Sequence, residues 1–187
     1  MKLIKINITL WILSLSLIVI IVLCFIKLHT PHPLKTEYDN FIGKAISFSS
    51  LIPMNSSQNS VNKDSLILAS PFKVVIYVDS SSCEDCSISS ALGMRGYQIE
   101  LRERTDIQFI YIFNTSDLSS LNQRLLNLGF YHYYFADIDN IFTKVNNIPA
   151  SQQFHTFLLE DNKVKVIGSP ILNTKKKKSY NKAMSVS

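Results

Sequence analysis

The chain has 187 residues, with 47% hydrophobic and 18% charged side chains. That is room for one ordinary domain with its own core, and it excludes a wholly disordered chain. Five glycines exclude collagen-like architecture, and three cysteines are too few for a disulfide scaffold. The formal charge of +5 divides unevenly: of 19 lysines and arginines, three fall in 1–34 and five in 173–187, leaving 11 between them against all 14 acids, a net of −3 for 35–172. A basic stripe across the body, the footprint of nucleic-acid binding, is therefore absent, and no nucleic-acid partner is expected.

Residues 6–26 contain no charge and are flanked by Lys2, Lys5 and Lys27. As a helix, this run rises roughly 31 Å at ~1.5 Å per residue, enough to cross a bilayer. Trp11 suits the near interface, and the flanking lysines favour a cytoplasmic N-terminus. Residues 1–28 are expected to be an uncleaved membrane anchor, placing the remainder on the extracytoplasmic, periplasmic side. A lipoprotein modified at Cys24 and a cleaved signal peptide are the alternatives, disfavoured by Leu23 and by Ile21-Val22-Leu23 respectively. Residues 29–40, with Pro31 and Pro33, read as a linker.

The rest divides into a domain at 41–172 and a basic C-terminal helix or tail at 173–187. Ala45-Ile46-Ser47-Phe48 alternates like a short strand, and 55–64 reads as a polar loop. Lys73-Val74-Val75-Ile76-Tyr77-Val78-Asp79 reads as a central strand buried on both faces. A helix is expected from the Cys83 region to about Arg104, with Ile88, Leu92 and Ile99 near one face. Next come a strand at 106–114, a helix to Leu128 capped by Thr115 or Ser116, a short strand at 133–137 and a helical turn at 141–145. A hairpin closes the pattern, with strands at 156–160 and 163–167 flanking Asp161-Asn162. Strands alternating with helices imply an α/β fold with a parallel sheet core and an antiparallel hairpin at one edge.

One constellation carries chemistry. Cys83-Glu84-Asp85-Cys86 follows the central strand and opens a helix. Unpaired N–H groups and the partial positive charge at a helix start stabilise a thiolate, the attacking form in thiol–disulfide exchange. A two-residue gap lets the second sulfur return one turn and attack a mixed disulfide. The carboxylates of Asp79, Glu84 and Asp85 oppose this by raising the thiol pKa, which favours a reductant-type pair or a stable structural disulfide over a strong oxidant.

On these residues, together with Val74–Asp79, Phe109–Ile112 and Phe157–Val164, residues 73–168 resemble the thioredoxin fold, most closely the membrane-anchored thioredoxin-like proteins of the bacterial envelope grouped with TlpA and ResA. The resemblance implies a central mixed sheet flanked by helices, preceded by an N-terminal hairpin at Tyr38–Ser50. It implies dithiol–disulfide exchange, with Cys83 as nucleophile and Cys86 as resolving cysteine. Its partners would be protein thiol or disulfide substrates and a membrane electron donor, with no cofactor and no metal.

The chain departs from the family pattern at three positions. Ser82 stands where tryptophan is usual, and Asp85 where proline is common. Phe154, followed by His155, stands where a cis-proline borders the substrate groove; the bond there is expected to be trans, with Phe154 and His155 lining a reshaped groove. These departures keep two other functions open: a redox-inactive binding or scaffold module with a Cys83–Cys86 staple, and a metallochaperone using Cys83, Cys86 and His155.

Overall fold

A computed structural model of the chain describes residues 17–21, 33–54, 70–79 and 84–185. The chain divides into two units, Met1–Asp39 and Asn40–Ser187. In the first, residues 17–21 are helical with Leu17 to Ile21 exposed. The apolar run at 6–26 otherwise lies outside the described residues, as does the polar loop at 55–64. Among the described residues no helix is long and apolar enough to cross a membrane. Part of the expected linker is ordered as helix α1, Pro33–Phe41, whose proline sits at the first position, where a missing N–H costs nothing.

The second unit is built on one six-stranded mixed sheet. Its strands are β1 Ile52–Met54, β2 Phe72–Val78, β3 Ile107–Asn114, β4 Tyr134–Asp137, β5 Thr156–Glu160 and β6 Lys163–Ile167. They lie in the order β1-β4-β3-β2-β5-β6. The pairs β2/β3 and β3/β4 are parallel, while β2/β5, β5/β6 and β1/β4 are antiparallel. The helices are α2 Glu84–Glu100, α3 Leu118–Asn127, α4 Ile141–Val145 and α5 Thr174–Met184, with a 3-10 turn at Gln152–Phe154.

The alternation of side chains along β2 explains the layering. Phe72, Val74, Ile76 and Val78 join a core with Ile88, Ala91, Met94 and Tyr97 of α2, Leu121 and Leu125 of α3, and Tyr180 and Met184 of α5. On the other face, Tyr77 stacks on Phe142 of α4, with ring centroids 6.0 Å apart. Phe142 stacks in turn on Phe48, and Phe41 packs edge-on against Phe154 and Phe157. All seven residues of β2 are buried.

Several sequence expectations are corrected. The buried face of α2 is Ile88, Ala91, Met94 and Tyr97, at strict three-residue steps, and Ile99 is exposed. The cap of α3 is Asp117, whose carboxylate accepts the N–H groups of Ser119 and Ser120 at 3.0 and 3.1 Å. Thr115 instead braces that cap by accepting the Asp117 N–H.

There is no hairpin at Tyr38–Ser50. After α1 the chain turns at Gly43 (φ 78°), and Ala45 makes one bridge to Lys163 on the outer side of β6. The chain then crosses the face of α4, where the Asn146 side chain accepts the Ser47 N–H and donates to the Ser47 carbonyl, each at 2.8 Å. It then pairs as β1 on the outer side of β4. The alternation at 45–48 is real, since Ile46 and Phe48 are buried, but it marks this crossing segment and not a strand.

The β5–β6 turn is as expected, with Asp161 and Asn162 both at positive φ, 49° and 64°. Of the two forms expected for the basic terminus, helix or tail, it takes the helix over Thr174–Met184. Asn173 caps α5 by accepting the Lys175 N–H, and Tyr180 and Met184 are sunk in the core.

Phe130 is fully buried and meets Tyr111, Phe113 and Tyr134 edge-on. Phe130→Ala is expected to cost ~3–5 kcal/mol in chemical denaturation. Tyr131→Ala, at a neighbouring position 69% exposed, should stay within ~0.5 kcal/mol of the parent.

Candidate functional site

In sheets of this kind the carboxyl ends of the parallel strands form the edge where functional groups gather. Here that edge is assembled by register. Val78 lies opposite Phe113, and Asn114 lies opposite Asp137, so Asp79, Asn114 and Asp137 follow one another across three strands. Strand β5 runs the other way, so its entry residue arrives at the same edge. The Tyr77 N–H donates to the His155 carbonyl at 2.7 Å, fixing His155 beside the end of β2.

Helix α2 begins at Glu84, five residues after Asp79, and Cys86 is its third residue. The motif is thus split. Cys83 and the side chains of Glu84, Asp85 and Cys86 lie outside the described residues, whereas the backbone of Cys86 lies within the first helical turn. Glu84 and Asp85 occupy the first two positions.

Asp79 and His155 are brought together. His155 lies edge-on against the Tyr77 ring, with centroids 5.2 Å apart. Burial lowers its pKa below the ordinary 6.5, and the nearby Asp79 carboxylate opposes that by raising it. Asp79 in turn accepts from the Asn114 amide at 3.4 Å.

Phe154 is not at the site. Its side chain is fully buried with its ring on Phe41, so it belongs to the core and cannot line a substrate groove. The 3-10 turn that ends at Phe154 points it inward and hands His155 to the edge. All described peptide bonds are trans.

A second polar cluster sits one strand further along and is not apparent from the sequence. Asp137 is completely buried; its carboxylate accepts the Phe142 N–H at 2.9 Å and the Tyr77 hydroxyl at 3.2 Å. The single proton of that hydroxyl is shared with the Asn140 side-chain oxygen, at 2.8 Å. Burial raises the Asp137 pKa, and its hydrogen bonds only partly offset this. Burial first, then the charges of Asp137 and Asp79, push the Tyr77 phenol far above its usual range. Asp139 and Asn140 both have positive φ (61° and 57°), a backbone shape these residue types tolerate, and the turn presents Asn140 to Tyr77. The only sequence signal was an acid closing an otherwise apolar strand.

Among the described residues no group of three His, Cys, Asp or Glu side chains is arranged to hold a metal ion.

The architecture defines a class: this is a mixed α/β protein of thioredoxin-like fold. No protein-family model matches the sequence, and neither does any curated protein. Solved structures do match. A domain of a possible thiol-disulfide isomerase from Cytophaga hutchinsonii superposes with a TM-score of 0.54 at 14% identity, over 78% of this chain and 97% of that one. An uncharacterized thioredoxin-like protein from Porphyromonas gingivalis gives 0.51 at 10%, over 76% and 93%. The mitochondrial 2-Cys peroxiredoxin from Plasmodium falciparum gives 0.50 at 11%, over 75% and 92%. At these identities the likeness shows the fold and nothing finer.

Half-buried His155 and buried Asp137 predict opposite pH effects on stability. His155 binds its proton less tightly when folded, so stability is lost as pH falls below about 6.5; His155→Gln should flatten that fall. Asp137 binds its proton more tightly when folded, so its contribution is lost as pH rises from about 3.8; Asp137→Asn should remove that decline. Denaturation midpoints recorded across pH for the parent and both variants check the two signs.

Proposed function

We propose that this chain is a membrane-anchored, exported thiol–disulfide oxidoreductase of the cell envelope, held by residues 6–26 with its domain on the periplasmic side. The observation that carries the reading is the position of Cys86, in the first turn of the helix that follows the central strand of a thioredoxin-like fold. Structural neighbours that include a possible thiol-disulfide isomerase and a 2-Cys peroxiredoxin support a thiol-based chemistry.

In this reading the Cys83 thiolate attacks a substrate disulfide, forming a mixed disulfide and releasing one substrate thiol. Cys86 then attacks the Cys83 sulfur, releasing the second substrate thiol and leaving Cys83–Cys86 oxidised. The substrate gains two electrons and two protons. A membrane dithiol donor returns the pair to the reduced state. The carboxylates of Asp79, Glu84 and Asp85 make the thiolates poor leaving groups. The pair is therefore a reductant that keeps particular envelope cysteines reduced or repairs mispaired ones.

One observation favours a second reading. Phe154 is locked in the core, where a substrate groove would need an accessible wall. That suits a redox-inactive scaffold with Cys83 and Cys86 as a staple.

The two readings part in cells. Cys86→Ser in the full chain is expected to accumulate proteins covalently trapped on Cys83, released by dithiothreitol, and the further change Cys83→Ser should abolish them. No trapped partner, together with loss of stability when the parent chain is reduced, would instead establish the staple.

A further inference from the structure

Helix α5 carries charge that its own packing does not use. Lys175 to Lys177 lie in its first turn and Lys178 follows, near the end where the helix dipole makes cations unfavourable. Two of the four serve the fold. Lys177 pairs with Glu100 at 2.5 Å and lies 5.7 Å from the centre of the Tyr97 ring. The stem of Lys176 runs close to Gly168, where an added Cβ would lie 3.4 Å from it.

Lys175 and Lys178 are exposed, and with Lys182 they stand at i, i+3 and i+7, one stripe facing away from the buried Tyr180 and Met184. Among the described residues none of these three has an acidic partner. Glu100, Glu160 and Asp106 are already paired with Lys177, Lys165 and Arg104. Immediately before the helix, Leu172 is 80% exposed, the most exposed large apolar side chain among the described residues.

We propose that this face docks on an anionic phospholipid surface, with Lys175, Lys178 and Lys182 among the headgroups and Leu172 inserted at the acyl boundary. A cationic stripe next to one protruding apolar side chain matches the two attractions of an interfacial helix, electrostatic and hydrophobic. Nucleic acid would ask for a basic field across the body, which 35–172 lacks at a net of −3. Lysines alone, without arginine, suit a diffuse layer of headgroups better than a fixed bidentate partner on an acidic protein. The helix is held rigidly for the purpose: its N-terminus is capped by Asn173, and the Arg104 guanidinium donates to the Met184 carbonyl at the other end. The inference is independent of the cysteine chemistry.

The test uses the full chain carrying Trp11→Phe and Leu172→Trp, so that the single indole reports on position 172. It is mixed with phosphatidylcholine vesicles with and without phosphatidylglycerol. A blue-shifted emission is expected only with phosphatidylglycerol, and raised salt should reverse it. Adding Lys175→Gln, Lys178→Gln and Lys182→Gln should weaken the effect roughly a hundredfold, about fivefold per lysine, whereas arginine at all three positions should preserve it. If the neutralised variant does not fold, judged by circular dichroism, the salt reversal on the unaltered lysines decides. Equal emission with both lipids, or no shift with either, overturns the proposal, and the second outcome leaves an acidic protein as the partner.

Discussion

A strand whose two faces both meet apolar layers has nowhere to go but the middle of the sheet, and β2 is that strand. Each of its seven residues is buried, so sliding it by one position would exchange the side chains meant for α2, α3 and α5 with those meant for α4 and the 41–51 segment. The penalty fixes the register of β3 and β5 on either side. It also fixes where β2 ends, and with it the height at which Asp79 leaves the sheet and α2 begins. The candidate chemistry inherits its position from this packing and not from any local feature of the cysteine motif.

The polar groups at the carboxyl edge follow from the same constraint. Tyr77 points to the α4 side, so its hydroxyl must find partners there, and Asp137 and Asn140 supply them. Burying a carboxylate costs several kcal/mol unless it is bonded or protonated, and Asp137 meets that demand with the Phe142 N–H and the phenol. His155 is tied by its carbonyl to Tyr77 and feels the charge of Asp79. One tyrosine therefore connects the structural cluster around Asp137 to His155 at the same edge.

Most of the sheet was readable from residues 73 to 167 because each signal was short-range: β-branched runs, leucines three and four apart, and Asp161-Asn162 between two strands. What escaped the sequence was long-range. Residues 45–48 carry a period-2 pattern, yet their partners lie across α4 and on β6, and nothing local tells a strand from an extended crossing segment. The face of α2 was read correctly at Ile88 and Leu92 but not at Ile99, because Ala91, Met94 and Tyr97 are less conspicuous and the choice depends on where α5 and α3 pack. Phe154 and His155 were rightly placed before β5, but which of them turns inward is decided by a single 3-10 turn. Asp137 looked like an ordinary strand end because its partners are contributed by β2 and by the turn before α4.

The crossing segment between Gly43 and Met54 has one further meaning. It touches the sheet at both margins, through the bridge to Lys163 outside β6 and through β1 outside β4. An open sheet with bare borders invites other chains to add strands to it. This stretch of a dozen residues works as a clasp that shields both borders at once. A version of the protein trimmed to its alternating strands and helices would keep its hydrophobic interior but lose that shield, and would be prone to self-association.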